Sequence, residues 1–138
     1  MAKKEKDQIG FTMKWVVYAT PEKVFDALTN AGKIEAWTHD DAAFNLSKNG
    51  EFKMFGDWVS GNVISFEKGK SLSYTWKPVN WNKKAAPSTV NYLFMKHEAG
   101  CEVVLEHYGF PDLPESDNHY DGWATNVFEP LNDYFVGL

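Results

Sequence analysis

The sequence predicts an α+β fold in which a seven-stranded curved antiparallel sheet wraps a long C-terminal helix, with two short helices between strands one and two. Three observations predict it. The stretch Ser116 to Phe135 sets Tyr120, Trp123, Val127, Leu131 and Tyr134 at steps of three and four, with Ala124, Phe128 and Phe135 beside them, which makes one wide apolar helical face. From Ala42 onward apolar and polar residues alternate and turn signals recur at close intervals, the pattern of an antiparallel meander. Ahead of that meander, Thr20-Pro21-Glu22 supplies a cap, a proline at the first helical position and an acid near the positive end of the helix dipole. One large helical face and one apolar sheet face must bury each other, which fixes the layers.

Taken in order, Ile9 to Ala19 is rich in β-branched and aromatic side chains and forms the first strand. Val24, Phe25 and Leu28 give the first helix its buried side. Asn30 and Gly32 end it, and a second short helix carries Ile34 and Trp37 up to His39-Asp40-Asp41. Phe44 and Leu46 alternate with Asn45 and Ser47 in strand two, and Lys48-Asn49-Gly50 turns the chain through Asn-Gly. Phe52 and Met54 mark strand three, closed by Gly56-Asp57. Trp58 to Phe66 is strand four, interrupted by Gly61 and ended by Lys68-Gly69. Strand five is the plainest, with Leu72, Tyr74 and Trp76 facing one way and Ser71, Ser73 and Thr75 the other. Pro78 to Pro87 reads as a loop carrying Trp81, either a lid over a cavity mouth or an irregular crossover. Ser88 to His97 and Cys101 to Phe110 are strands six and seven, joined at Ala99-Gly100. In the terminal helix Ser116 or Asp117 is the expected cap and Gly137 the stop. Pro130 should bend the axis, because it removes the N–H that would bond the Asn126 carbonyl.

Size and composition bound the function. A chain of 138 residues is long enough for one domain with a real core, and 43% hydrophobic with 16% aromatic content suits an apolar cavity. A net charge of −5 argues against nucleic acid as a partner. Lys3, Lys4 and Lys6 are interleaved with acids and have no apolar run behind them, so residues 1–8 are expected to form a flexible tail and 9–138 the single domain. The longest apolar run, Trp15 to Ala19, falls well short of the roughly 18 to 20 residues of a membrane span. Cys101 stands alone and allows no internal disulfide. Together these features predict a cytoplasmic protein.

A resemblance rests on Ala19-Thr20-Pro21-Glu22-Lys23-Val24-Phe25 with Leu28 and Thr29, on Ile34 to Trp37, and on Gly61-Asn62-Val63 followed by Leu72-Ser73-Tyr74-Thr75-Trp76. Val103 to Phe110, with His107 ahead of Gly109-Phe110, and Gly122-Trp123 complete it. In this order and spacing the chain resembles the helix-grip fold of the START-like (SRPBCC, Bet v 1-like) superfamily, and within it the family named for the C-terminal domain of the activator of Hsp90 ATPase. The likeness covers nearly the whole chain from Gly10. It implies a cavity between sheet and terminal helix, which in relatives holds lipids, sterols, polyketides or hormones. It implies no single chemistry, because the fold hosts carriers, cyclases, hydrolases and regulators. Small single-domain relatives of this kind are common in bacteria, and without the co-chaperone's N-terminal domain no Hsp90-type partner is expected.

The expected ligand-binding residues are Trp37, Trp58, Tyr74, Trp76, Tyr92, Phe94, Leu105, His107, Trp123, Val127 and Phe128. Aromatic rings bury large areas, and Tyr or Trp adds a directional polar tip. The competing reading is that the same rings fill the core. Strand parity turns Tyr74, Trp76, Tyr92, Phe94, Leu105 and His107 inward, with strands four and six open to the opposite assignment. On that face His107 can donate to a ligand carbonyl or act as acid or base near neutral pH, or it can simply be hydrogen-bonded within the core. His119, one turn before Trp123, reads as a surface or cap residue.

No metal is expected, since His39-Asp40-Asp41 are adjacent residues without further ligands and Cys101 to His107 spans about 20 Å of strand. No G-x-S-x-G elbow, P-loop or HExxH occurs, so no catalytic residue and no cofactor is assigned. The first reading is a non-catalytic protein that binds a small hydrophobic molecule. The alternatives are a cyclase- or dehydratase-type enzyme, in which His107 with Tyr74 or Tyr92 moves protons, and an interaction module that meets a chaperone or partner subunit through the outer sheet face. The oligomeric state is open, with a homodimer among the options.

Overall fold

In the computed structural model, which describes residues 8–137, the period of two decides the sheet. The expected tail, Gln8 apart, lies outside the described residues. Buried and half-buried residues alternate without a break along β5 (Ser71–Pro78) and β7 (Gly100–Tyr108), and through the first half of β6 (Ser88–His97). These strands pair antiparallel with Tyr74 opposite Val90 and Tyr92 opposite Leu105, so their apolar residues share one face. β1 (Gly10–Val17) pairs with β7 on one side. On the other, β4 (Val59–Glu67), β3 (Glu51–Met54) and β2 (Ala43–Phe44) complete the order β1-β7-β6-β5-β4-β3-β2. Strand two is only two residues long because the Ser47 N–H turns back to the Asn45 carbonyl.

The facing of strand four is settled by a bulge at Ile64. Val63 pairs with Tyr74 and Phe66 with Leu72 on the concave side, while Ile64 is thrown outward. Gly61 is required there, because a Cβ would sit 1.9 Å from the Thr75 carbonyl oxygen of the neighbouring strand.

Thr20 caps α1 (Pro21–Thr29) and Asn30 caps α2 (Ala31–Thr38), each side chain accepting a backbone N–H from its first turn. Val24, Phe25, Leu28, Ile34 and Trp37 are buried as expected. The Trp37 indole donates to the Ala27 carbonyl at 2.8 Å and ties the two helices together.

The terminal helix runs as α3 (Leu113–Gly122), a π-helical segment (Trp123–Phe128) and α4 (Glu129–Val136). It departs from expectation in three ways. It starts earlier, because Asp112 is the cap and accepts from the Glu115 N–H, with Pro114 in the first turn and Ser116 buried. Tyr120 is 47% exposed rather than on the buried face. The backbone irregularity takes the form of a widened turn just ahead of Pro130, in which the Glu129 N–H bonds the Ala124 carbonyl five residues back. Around an ordinary α-helix, Trp123 and Phe128 would point about 140° apart. The wider turn brings both into the core with ring centroids 6.1 Å apart. Gly137, at φ 82°, stops the helix where expected.

Candidate functional site

Parity put the right residues on the concave face, but the helix closes onto much of that face directly. Tyr74, Tyr92, Phe94, Leu105, His107 and Phe128 are buried core residues. Tyr92 stacks on Phe94 at 5.7 Å, and Phe128 is sandwiched against Trp15 at 5.7 Å.

Open space of ≈ 1030 Å³ lies instead beside the helix, against the end of α2 and the Phe55–Trp58 turn. The elements that frame it follow from local chemistry. α2 ends at His39 in the left-handed region, so Trp37 and Thr38 stand at its rim. Phe55 and Gly56 also take positive φ, which folds a tight turn that carries Phe55 and Trp58 over the opening. The sheet contributes Trp76. The terminal helix supplies a line at steps of three and four, namely Glu115, His119, Trp123, Asn126, Pro130 and Tyr134. Of the expected ligand-binding residues, Trp37, Trp58, Trp76, Trp123 and Val127 therefore border the cleft and the others do not.

Two histidines organise the region, and hydrogen bonds fix their tautomers. An indole N–H can only donate, so His107 Nδ1, 3.0 Å from Trp123 Nε1, must accept. Its proton therefore sits on Nε2, which donates to Ser88 Oγ at 2.7 Å, and Ser88 in turn donates to the Trp76 carbonyl at 3.1 Å. By the same logic His119 Nε2 accepts from Trp76 Nε1 at 3.1 Å, and Nδ1–H donates to the Glu115 carbonyl at 2.9 Å. Both rings are neutral in this arrangement. Burial, with His119 close by, holds His107 well below the usual histidine range. Burial also lowers His119, partly offset by its bond to the Glu115 carbonyl and by the Glu115 charge. His119 is buried, contrary to its expected surface place, and stacks on Trp58 at 6.0 Å.

This geometry leaves His107 without a free nitrogen facing the cleft. The Tyr74 and Tyr92 phenols bond each other at 2.5 Å inside the core, where burial raises the pKa of both. Burial pushes the Cys101 thiol up to about 11. Among the described residues no group of three or more His, Cys, Asp or Glu is placed to hold a metal.

The loop after β5 is pinned rather than free. Trp81 is buried against Phe110 and His119, and its Nε1 donates to Glu115 Oε1 at 2.6 Å. The Val79 N–H bonds the Trp58 carbonyl at 2.8 Å, and Asn80 reaches the rim. Sequence reasoning missed Phe55, Glu115 and Asn126. The available signal was the i, i+4 row that runs Glu115, His119, Trp123 along one helix side.

A family model described as Activator of Hsp90 ATPase homolog 1-like protein matches residues 18–135. The mouse (Mus musculus) activator of 90 kDa heat shock protein ATPase homolog 1 is 25% identical over 124 residues, covering 90% of this chain and 36% of its own length. The chain thus spans roughly a third of that curated relative. Among solved structures, an HSP90 activator from Plasmodium falciparum superposes with a TM-score of 0.79 at 24% identity, covering 92% of this chain and 95% of that one. The Aha1 dimer from Colwellia psychrerythraea gives 0.75 at 16% identity, covering 91% and 94%. At these identities the structures speak for the helix-grip fold and no more.

Proposed function

The chain belongs to the activator of Hsp90 ATPase homolog 1-like family, and from that premise we propose that it binds a small aromatic or apolar molecule in the cleft beside the terminal helix. One observation carries the reading: an opening of ≈ 1030 Å³ walled by Trp37, Phe55, Trp58, Trp76 and Trp123. Ligand sites are concave, mostly apolar, and carry a few polar groups that fix orientation. Here Asn80, Asn118 and Asn126 supply such groups at the rim. Trp58, 37% exposed at the lip, offers a large ring that a guest would cover.

The test is a thermal-shift screen of diverse aromatic and apolar compounds. A ligand at a hundred times its Kd stabilises the fold by about 2.7 kcal/mol through mass action. Trp58→Ala should lower the unliganded Tm, since the ring packs on Phe55, Trp76 and His119, and should remove the ligand-induced shift from a fold that still melts cooperatively. A broad panel that moves Tm for no compound overturns the proposal.

A second reading is contact with an Hsp90-type ATPase. It is favoured by the Plasmodium falciparum HSP90 activator, 95% of whose chain is matched by this one domain. Stimulation of Hsp90 ATP turnover on addition of this chain is its test, and unchanged turnover with no co-purification discards it.

A further inference from the structure

We infer that the cleft selects organic cations, with a quaternary or aromatic ammonium as its ligand class; this rests on the cleft being a binding site, as proposed above. The first argument is charge. Among the described residues, the Glu and Asp side chains that border the cleft are Glu115 and Asp133 and no lysine borders it; the sequence contains no arginine. His119 adds no positive charge, because its Nε2 is occupied as an acceptor from Trp76.

The backbone adds to this charge. Two helices end at this opening, α2 through Trp37, Thr38 and His39, and α4 through Tyr134 and Gly137. The last carbonyls of a helix have no intrahelical partner and carry about half a negative charge between them. Helices often place a lysine or histidine in the last turn to balance that charge, yet neither of these does. The site therefore presents two carboxylates, one of them bonded by the Trp81 N–H, and two carbonyl ends, with His39 at the end of α2 and His119 as its imidazoles.

The second argument is the walls. A cation over the face of a tryptophan is attracted by the ring quadrupole, most strongly where water is excluded. Trp58 and Trp76 meet edge to face at 6.2 Å and 78°, in contact with each other, so the ring face open to a cation is that of Trp58, 37% exposed at the lip. A fatty acid or a phosphate ester would meet the same walls with the wrong sign and no lysine to receive it. Anionic amphiphiles are thus rejected although the cavity would fit their chains.

The experiment compares three probes by isothermal titration calorimetry on the full 138-residue chain. They are benzyltrimethylammonium, its uncharged carbon isostere neopentylbenzene, and the anion benzenesulfonate. The cation should bind about 10-fold tighter than the isostere, and the anion should not bind. Trp58→Leu should weaken cation binding, which places the probe in the cleft. The double variant Glu115→Gln, Asp133→Asn should weaken the cation about 5-fold or more and leave the isostere unchanged. Gln keeps an oxygen for Trp81 Nε1, so the loop stays in place. Equal or tighter binding of the isostere overturns the cation preference and leaves the cleft as a neutral-ligand site. Cation affinity that the double variant does not change also overturns it. If none of the probes binds, the binding-site reading falls together with this one.

Discussion

Tyr74 and Tyr92 show how a single polar pair can sit inside an aromatic core. Their hydroxyls are 2.5 Å apart, and each ring is wrapped by others, Tyr74 by Phe52 at 4.5 Å and Tyr92 by Trp123 at 6.0 Å. Burial keeps both phenols neutral, so the pair is a hydrogen bond between two hydroxyls rather than a proton reservoir. Removing one hydroxyl strands the other in a place water does not reach, which costs about 1–3 kcal/mol, whereas removing both leaves nothing unpaired. Tyr92→Phe and Tyr74→Phe should each lower the urea midpoint, and the double variant should lose clearly less than the sum, with a coupling of about 1 kcal/mol. Strict additivity in that cycle would show that the phenols do not depend on each other. The same pair bears on catalysis, since a hydroxyl that is committed to its neighbour and walled from the cleft has no substrate to protonate.

Among the elements, the terminal helix is where sequence and structure part most instructively. Its buried face was readable because Trp123, Val127 and Leu131 recur at helical steps, but two details were not. Ser116 and Asp117 have the same capping chemistry as Asp112, and only Pro114 in the first turn distinguishes the earlier start. The π-helical segment leaves no periodic signature of its own, since one extra residue in a turn shifts the phase by less than the width of the apolar face. That extra residue lets Trp123 on one side and Phe128 and Leu131 on the other face the sheet together. Deleting exposed Thr125 should restore ordinary helical bonding and leave Phe128 four positions after Trp123, about 40° away around the helix and on the same face. Phe128 and Leu131 would then stay in the core with Trp123, because the deletion removes the residue that the wider turn accommodates. The expected cost is less than about 1 kcal/mol, read as little change in the urea midpoint, close to the less than about 0.5 kcal/mol expected for Thr125→Ala. A deletion variant that loses about 3 kcal/mol or more would mean that Phe128 and Leu131 no longer reach the core and that the widened turn does more than absorb one residue.

At the scale of the whole molecule, alternation in β5 and β7 made the sheet and its inward face legible, because Tyr74, Trp76, Leu105 and His107 each follow from parity. What parity cannot report is how closely the opposite layer approaches. For that reason Tyr92, Phe94 and Leu105 were expected around a cavity and are found in solid packing, while the open space lies beside the helix at Phe55 and Trp58. His119 was readable in principle, four residues before Trp123 and so on the same face. Its burial next to His107 gives the fold a property that neither residue has alone. The His107 ring meets Trp123, Ser88, Phe11, Trp76, Phe110 and His119, none of them a carboxylate, and the Glu115 carboxylate stands by His119 at 3.8 Å. In the unfolded chain His107 takes up a proton as pH falls through about 6.5, while in the native state it stays neutral to well below that. The unfolded state therefore binds more protons across that window, so stability is full above about pH 7 and falls as pH drops. For one histidine the slope approaches about 1.4 kcal/mol per pH unit, and His119 adds to it in the same direction. Urea midpoints measured from pH 8 to pH 5 should be level at first and then decline from about pH 6.5, while the native His107 ring resonances keep the chemical shifts of a neutral, Nε2-protonated imidazole. A native His107 that titrates near 6.5, with the urea midpoint unmoved, would break the link between these buried rings and acid stability.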